Sequence, residues 1–225
     1  MKQLQHPKLL DLEFFQGIDD RTMEAIDQLP IRIKNFESGE IVNFFGDCLE
    51  YIYIIIEGCL KTNEYLMSGK EVVSSYYFAK DAFPFYLVYG GRQTYPYNVC
   101  CHKKAKVYAL PIQGFKEIIA KDAKLMENIL VFVSKYCVKN KMVIQAASYP
   151  KVAQRLAFWL LASVDCQGDY QIPGTQQLFA DRLLVNRSSL NQEIKNFEGL
   201  GYIQKKGRSV HLNDRSALEA LIQEQ

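Results

Sequence analysis

The 225-residue chain has little of what most enzymes and membrane proteins need. Its three histidines, His6, His102 and His211, are scattered and make a poor inventory of general bases. No Gly-x-Ser-x-Gly elbow and no phosphate loop of Walker type occurs, and the paired carboxylates Asp19-Asp20 read as solvated helix-start residues. With no catalytic constellation, the chain is expected not to be an enzyme. The most apolar stretch, Tyr51 to Ile56, falls far short of the roughly 20 residues that span a bilayer. Met1 to Pro7 lacks the apolar centre of a secretory signal. Six cysteines without paired spacing suggest reduced thiols and a cytoplasmic protein. Net charge is also scarce, at +2, so a polyanionic partner has to be argued from local clusters.

What is present falls into three stretches. Leu9 to Leu29 reads as short helices around a turn at Gly17. From Ile31 to Leu110, β-branched and aromatic runs alternate with turn residues: Ile31–Phe36, Ile41–Phe45, Tyr51–Ile56, Cys59–Leu66, Val72–Phe78, Tyr97–His102 and Lys106–Leu110. Glu37-Ser38-Gly39-Glu40, Glu57-Gly58 and Ser68-Gly69-Lys70-Glu71 supply breaks. Many short strands at close spacing indicate a small antiparallel barrel or sandwich. Pro111 stops the strands, and a helical pattern runs from Asp122 to Ala147. Met126, Leu130, Val133, Cys137, Ile144 and Ala147 recur on it at heptad-like spacing, with Asn140 as a polar interruption. Leu125, Ile129, Phe132, Tyr136 and Val143 form a second apolar stripe. One stripe can pack on the strands and the other on a partner helix, while a helix buried within a monomer fits the same pattern.

Pro150 marks a joint. Lys151–Val164 is an amphipathic helix, and a loop from Gln167-Gly168-Asp169 ends at Pro173-Gly174. Thr175 can cap a short helix whose inner face is Leu178, Phe179 and Leu183, with Ala180 small enough for a close crossing. Leu184-Val185-Asn186 makes a tight connection, and Asn186 can cap the next helix. There Leu190, Ile194 and Phe197 point inward while Arg187, Ser188, Asn191, Gln192 and Lys195 lie opposite. Such a face suits a recognition helix: Arg187 for guanine or phosphate, Asn191 and Gln192 for adenine, Lys195 for the backbone. After Gly199-Leu200-Gly201, a Tyr202–Leu212 hairpin carries Lys205, Lys206 and Arg208 at its tip, completing a winged helix. Residues 182 to 215 hold seven basic side chains against three acidic ones, a local +4 in a chain of +2. Thr175 and Ser189 complete the set expected at DNA. A solvated face on a three-helix unit, or one that binds protein, is the alternative, which the ordered set of cap, small residue, turn, polar helix and basic hairpin outweighs.

At these residues the sequence resembles the Crp–Fnr family of bacterial transcription regulators over nearly its whole length. The matching stretches are Phe36 to Glu40, Tyr53 to Gly58, Lys151 to Ala157 and Val185 to Ile194, with Arg187 on the family's DNA-contacting arginine. The resemblance implies an α+β protein in three parts. An N-terminal double-stranded β-helix, the jelly-roll-like β-roll of cyclic-nucleotide-binding domains, occupies residues 1–121. A long dimerisation helix spans 122–149, and a C-terminal winged helix-turn-helix 150–225. It further implies a homodimer joined through Met126, Leu130, Val133, Cys137 and Ile144, double-stranded DNA with a pseudo-palindromic site, and RNA polymerase as partner of an activator.

The departures concern the effector. Family members that bind cyclic AMP carry Gly-Glu for the ribose, then Arg with Ser or Thr for the phosphate. Ungapped alignment puts Pro84-Phe85 and Tyr95-Pro96 at these positions, which argues against cyclic AMP; a gap would bring Arg92-Gln93-Thr94 into register. The region is instead aromatic, and Phe85, Tyr86, Tyr95 and Tyr97 are candidates for holding a flat apolar or phenolic effector. The same rings would also serve as barrel filling. Ser188 stands where many members carry Glu, and Gln192 where some carry Arg, so known operators do not transfer. No cysteine precedes Cys48, which argues against the family's iron–sulfur cluster, and nothing singles out a haem ligand among the histidines. Cys100-Cys101-His102 is the sole local cluster of metal-type ligands, but adjacent strand residues face opposite sides, so no metal or cofactor is expected. A thiol- or metal-based redox sensor using these three residues is the rival from another class.

Overall fold

A computed structural model describes residues 9, 12–65, 71–172 and 174–223. Met1 to Pro7 with His6, Leu66 at the end of one expected strand, Ser68-Gly69-Lys70 and Pro173, all used above, lie outside the described residues. The chain divides into two compact units, Met1–Lys135 and Tyr136–Gln225, the division falling inside its longest helix.

The first unit opens with a 3₁₀ turn at Glu13–Phe15 and α1 (Asp20–Asp27). Asp19 caps α1 by accepting from the Thr22 amide at 2.6 Å, which holds its carboxyl below the usual value. Six antiparallel strands follow: β1 (Arg32–Phe36), β2 (Ile41–Asn43), β3 (Tyr51–Tyr65), β4 (Glu71–Phe78), β5 (Ala82–Phe83) and β6 (Asn98–Pro111). The main path is β1-β6-β3-β4, with β2 on β6 and β5 on β3. This is the β-roll, and α2 (Phe85–Tyr89) lies between β5 and β6.

Two pairs of expected strands turn out to be single long ones. Glu57-Gly58 reads as a break but forms a bulge inside β3, where the register against β6 shifts at Glu57 and Cys59. Gly58 lies at φ +87°, and a Cβ there would stand 2.1 Å from the Lys104 carbonyl oxygen. A glycine that admits a neighbouring backbone bends a strand without ending it. The runs expected at Tyr97–His102 and Lys106–Leu110 are likewise one strand, β6, which begins at Asn98.

α3 (Ile112–Ile119), absent from the sequence reading, starts directly after Pro111 and buries Phe115 and Ile119. α4 (Ala123–Ser148) follows, with Asp122 accepting from the Leu125 amide at 2.7 Å. Leu125 and Ile129 are buried in the first unit's core with Phe14, Phe15, Ile52, Leu110 and Phe115, and Phe132 packs against it. The opposite stripe is open, with Leu130 at 65 % and Ile144 at 70 % of full exposure, and Met126 and Cys137 also exposed. Val133, assigned to the open stripe, instead packs on the core, and Val131 and Val138 are exposed. An α-helix drifts by about 20° per heptad against a strict seven-residue repeat, so such a stripe does not stay on one face.

The second unit has its own core. α5 (Val152–Ser163), α6 (Gln176–Arg182), α7 (Arg187–Gly199) and α8 (Arg215–Gln223) pack with a sheet ordered β7-β9-β8. The strands are β7 (Asp169–Gln171), β8 (Ile203–Lys206) and β9 (Ser209–Leu212). β7 lies where the sequence indicates only a loop, and α8 was not anticipated. Trp159 donates its indole N–H to the Tyr170 hydroxyl at 2.9 Å, tying α5 to β7. No helix among the described residues is long and apolar enough to cross a membrane.

Candidate nucleic-acid interface and effector cavity

α7 separates its residues cleanly. Leu190, Ile194 and Phe197 are buried, each contributing roughly 1.5–3 kcal/mol relative to an exposed side chain. Arg187, Ser188, Gln192, Lys195 and Asn196 are exposed, with Ser189 and Asn191 half-buried. Gln192 donates to Asn196 at 3.2 Å, and the buried Asn191 Oδ1 has no hydrogen-bond partner. Ala180 of α6 is fully buried in the same core as Leu190, Ile194 and Phe197 of α7. Thr175 caps α6, its hydroxyl accepting from the Leu178 amide at 3.3 Å. Asn186 stands at the cap position of α7, but its side chain makes no capping hydrogen bond, contrary to expectation. With φ −71° and ψ 143° its backbone is set for a cap; the amide side chain contributes nothing there.

The wing is a two-residue hairpin in which Lys206 pairs with Ser209 around Gly207 and Arg208, Gly207 taking φ +61°. Lys206 and Arg208 are exposed at its tip and Lys205 is half-buried. The Lys205 amide donates to Glu198 Oε1 at 3.2 Å, which fixes the wing's root to the end of α7. This is a polar helix face and a basic hairpin in one folded unit, with side chains suited to base edges and to phosphates.

The four aromatic candidates of the β-roll divide. Phe85 is 2 % exposed and belongs to the core, edge-on to Phe14 and Phe132, so it does not line a site. Tyr95 is 1 % exposed, its hydroxyl without a hydrogen-bond partner. Burial pushes that hydroxyl far above the usual tyrosine value, with Tyr53 and Asp47 adding to the shift. Tyr86 and Tyr97 share a short hydroxyl–hydroxyl hydrogen bond and line a cavity of about 360 Å³ with Glu64, Leu87, Gly90, Arg92 and Pro96. Glu64, Leu87 and Arg92 were missed as a set, because they meet from β3, α2 and the following loop. The gapped alignment through Arg92 was the one available signal.

Cys100, Cys101 and His102 alternate along β6. Cys100 Sγ accepts from Asn63 at 3.5 Å, Cys101 Sγ donates to the Lys103 carbonyl at 3.1 Å, and the His102 ring stands edge-on to Tyr76 at 5.3 Å. Burial raises the Cys101 thiol and pushes Cys59 up to about 12. Among the described residues no group of three or more His, Cys, Asp or Glu converges on one point.

A β-roll followed by a winged helix-turn-helix defines a two-domain regulator. The sequence matches a family model for a "Cyclic nucleotide-binding domain" over residues 33–122 and one for a "Crp-like helix-turn-helix domain" over 154–221. The chain is 24 % identical to a "Global nitrogen regulator" of Synechococcus elongatus over 72 % of each chain. It is 21 % identical to an "Anaerobic regulatory protein" of Haemophilus influenzae over 89 % of this chain and 80 % of that one. Among solved structures it shares the fold of a CooA mutant from Carboxydothermus hydrogenoformans (TM-score 0.67, 14 % identity, 98 % and 96 % covered). It shares that of FixK2 from Bradyrhizobium japonicum similarly (TM-score 0.62, 14 % identity, 88 % and 100 % covered). The chain belongs to the Crp–Fnr family of transcription regulators.

Proposed function

We propose that the protein is a cytoplasmic homodimer that reads a pseudo-palindromic DNA site with two copies of α7. The observation that carries this reading is the division of α7 into a buried apolar face and an exposed face of Arg187, Ser188, Gln192 and Lys195 beside a basic wing. Arg187 reads a base edge, Ser189, Asn191 and Gln192 supplement it, and Thr175, Lys195, Lys205, Lys206 and Arg208 hold the phosphates. The open stripe of Met126, Leu130, Cys137 and Ile144 supports pairing of α4 with its counterpart. That would set two recognition helices about one helical turn of DNA apart. In this reading residues 1–121 sense, 122–149 dimerise and 150–225 bind DNA, and RNA polymerase is the partner wherever the protein activates.

The effector in this reading is not cyclic AMP. Phe85 and Tyr95, at the positions that would bind ribose and phosphate, offer neither carboxylate nor cation and are buried. The cavity beside Tyr86 and Tyr97 combines one cation, Arg92, one carboxylate, Glu64, and a pair of phenolic hydroxyls. That chemistry suits a small effector with an anionic group and a hydroxyl or amino group. A pool of random duplexes, selected on purified protein at two salt concentrations, tests the reading. One recovered inverted repeat, with affinity falling steeply in salt, is the expected result. Salt-insensitive binding without a motif would mean that the winged helix contacts a protein instead.

A further inference from the structure

Arg155 takes no part in the contacts just assigned, yet three of its hydrogen bonds converge on the machinery behind them. Its Nε donates to the carbonyl of Tyr149, the residue after α4, at 2.7 Å. Its Nη1 donates to the carbonyls of Leu183 and Leu184 at 3.3 and 3.1 Å, in the connection between α6 and α7. That connection holds an anomaly: Leu184 lies at φ +54° with its side chain half exposed. The left-handed region is disfavoured for a non-glycine residue, and such a residue persists only where its surroundings over-determine it. Two backbone bonds close the turn, Leu184 N–H to Asp181 and Val185 N–H to Ala180, and the guanidinium adds to them, its planar fork of donors reaching two successive carbonyls and its charge suiting a helix C-terminus.

We propose that Arg155 is a positioning residue for DNA reading, tying the chain just after the long helix to the left-handed turn that aims α7. The inference rests on DNA reading by α7 and adds how that helix is held. Arg155 touches no DNA in this account; it acts through the backbone of Leu183 and Leu184. Loosening it leaves the inner face of α7 packed but its direction underdetermined, so sequence preference suffers before general affinity for DNA does. Because the same side chain grips Tyr149, the end of α4 and the turn move together.

The test uses the full-length protein with two probes: the duplex best recovered by the wild-type chain and a scrambled duplex of equal length. Arg155→Met should weaken binding to the selected duplex by about tenfold, the order expected for losing charge-assisted hydrogen bonds. Scrambled-duplex affinity and the salt slope should stay unchanged, and Arg155→Lys should fall between Met and wild type. Adding Leu184→Gly to Arg155→Met should recover most of the lost preference, since glycine adopts the turn without a clamp. A parallel fall on both duplexes, a salt slope smaller by about one, or no recovery in the double variant would overturn the proposal. Amide exchange gives a readout independent of DNA. In Arg155→Lys, the Leu184 and Val185 amides, which donate to Asp181 and Ala180 at 3.1 and 3.0 Å, should exchange faster than those of α5. Unchanged exchange at the turn would equally sink it. A wild-type chain that selects no duplex would count against DNA reading itself, while the exchange experiment would still decide the clamp.

Discussion

The two ends of this molecule treat the same family heritage differently. In the second unit, the positions proposed to read DNA carry arginine, serine, asparagine, glutamine and lysine on a helix with an intact apolar back. In the first, the positions that would hold a cyclic nucleotide carry proline, phenylalanine and tyrosine, and two of those rings have gone into the core. A DNA-reading surface is a local device, since one helix and one hairpin supply nearly all of it. An effector cavity is assembled from distant segments, so its chemistry can change while the roll around it stays intact.

The sharpest way to break this contrast is at Phe85. As a core residue, Phe85→Ala should destabilise the first unit by about 3–5 kcal/mol, the usual range for emptying a buried ring. Tyr86→Phe next to it should leave stability nearly unchanged. Denaturant unfolding of both variants checks this; a stable Phe85→Ala would return Phe85 to the cavity.

Arg187→Ala comes next, expected to weaken binding to the selected duplex by about tenfold to a hundredfold and to relax preference at one base position. An unaltered preference would remove Arg187 from base reading. Of smaller effect, Thr175→Ala should cost about 1 kcal/mol for the lost cap. Asn186→Ala should cost distinctly less, because its side chain makes no capping bond. Thermal melts of the pair decide whether the cap geometry has been read correctly.

A separate test of the first unit comes with pH. Burial pushes the Tyr53 hydroxyl up to about 12 from an ordinary value of 10.0. The folded state therefore prefers the neutral phenol. Its contribution to stability is intact below the unfolded value and is lost as pH rises from there through the folded one. Urea midpoints of the first unit should fall across that window, and Tyr53→Phe should flatten the fall. A wild-type midpoint that stays level would mean that the phenol titrates normally.

Much of this molecule was legible from residue order alone. The longer strands of the roll, both stripes of α4, the α6–α7 pair and the wing follow from hydropathy period, turn residues and clustered charge, all of them local signals. What escaped depended on tertiary partners. Gly58 looks like a strand end until the Lys104 carbonyl is seen beside it. β7 is three residues long and exists because β9 pairs with it. Val133 sits at a heptad position but drifts onto the core. Asn186 has the right residue type for a cap and the right backbone, and only the side-chain contact fails. Arg155 falls in the family-like stretch Lys151 to Ala157, but its role was not legible, because its partners are carbonyls, which no residue type announces.

The placement of the sole tryptophan gives the molecule a pair of optical windows. Trp159 is buried in the second unit, bonded to Tyr170 and with the Arg182 guanidinium 5.6 Å from its ring centre. Ten of the 14 tyrosines precede residue 135. Light at the red edge of tyrosine absorption would excite only Trp159, so its emission reports the winged unit alone. Near-ultraviolet dichroism would be weighted towards the β-roll. The unmodified chain can thus show whether its two units melt together or one at a time.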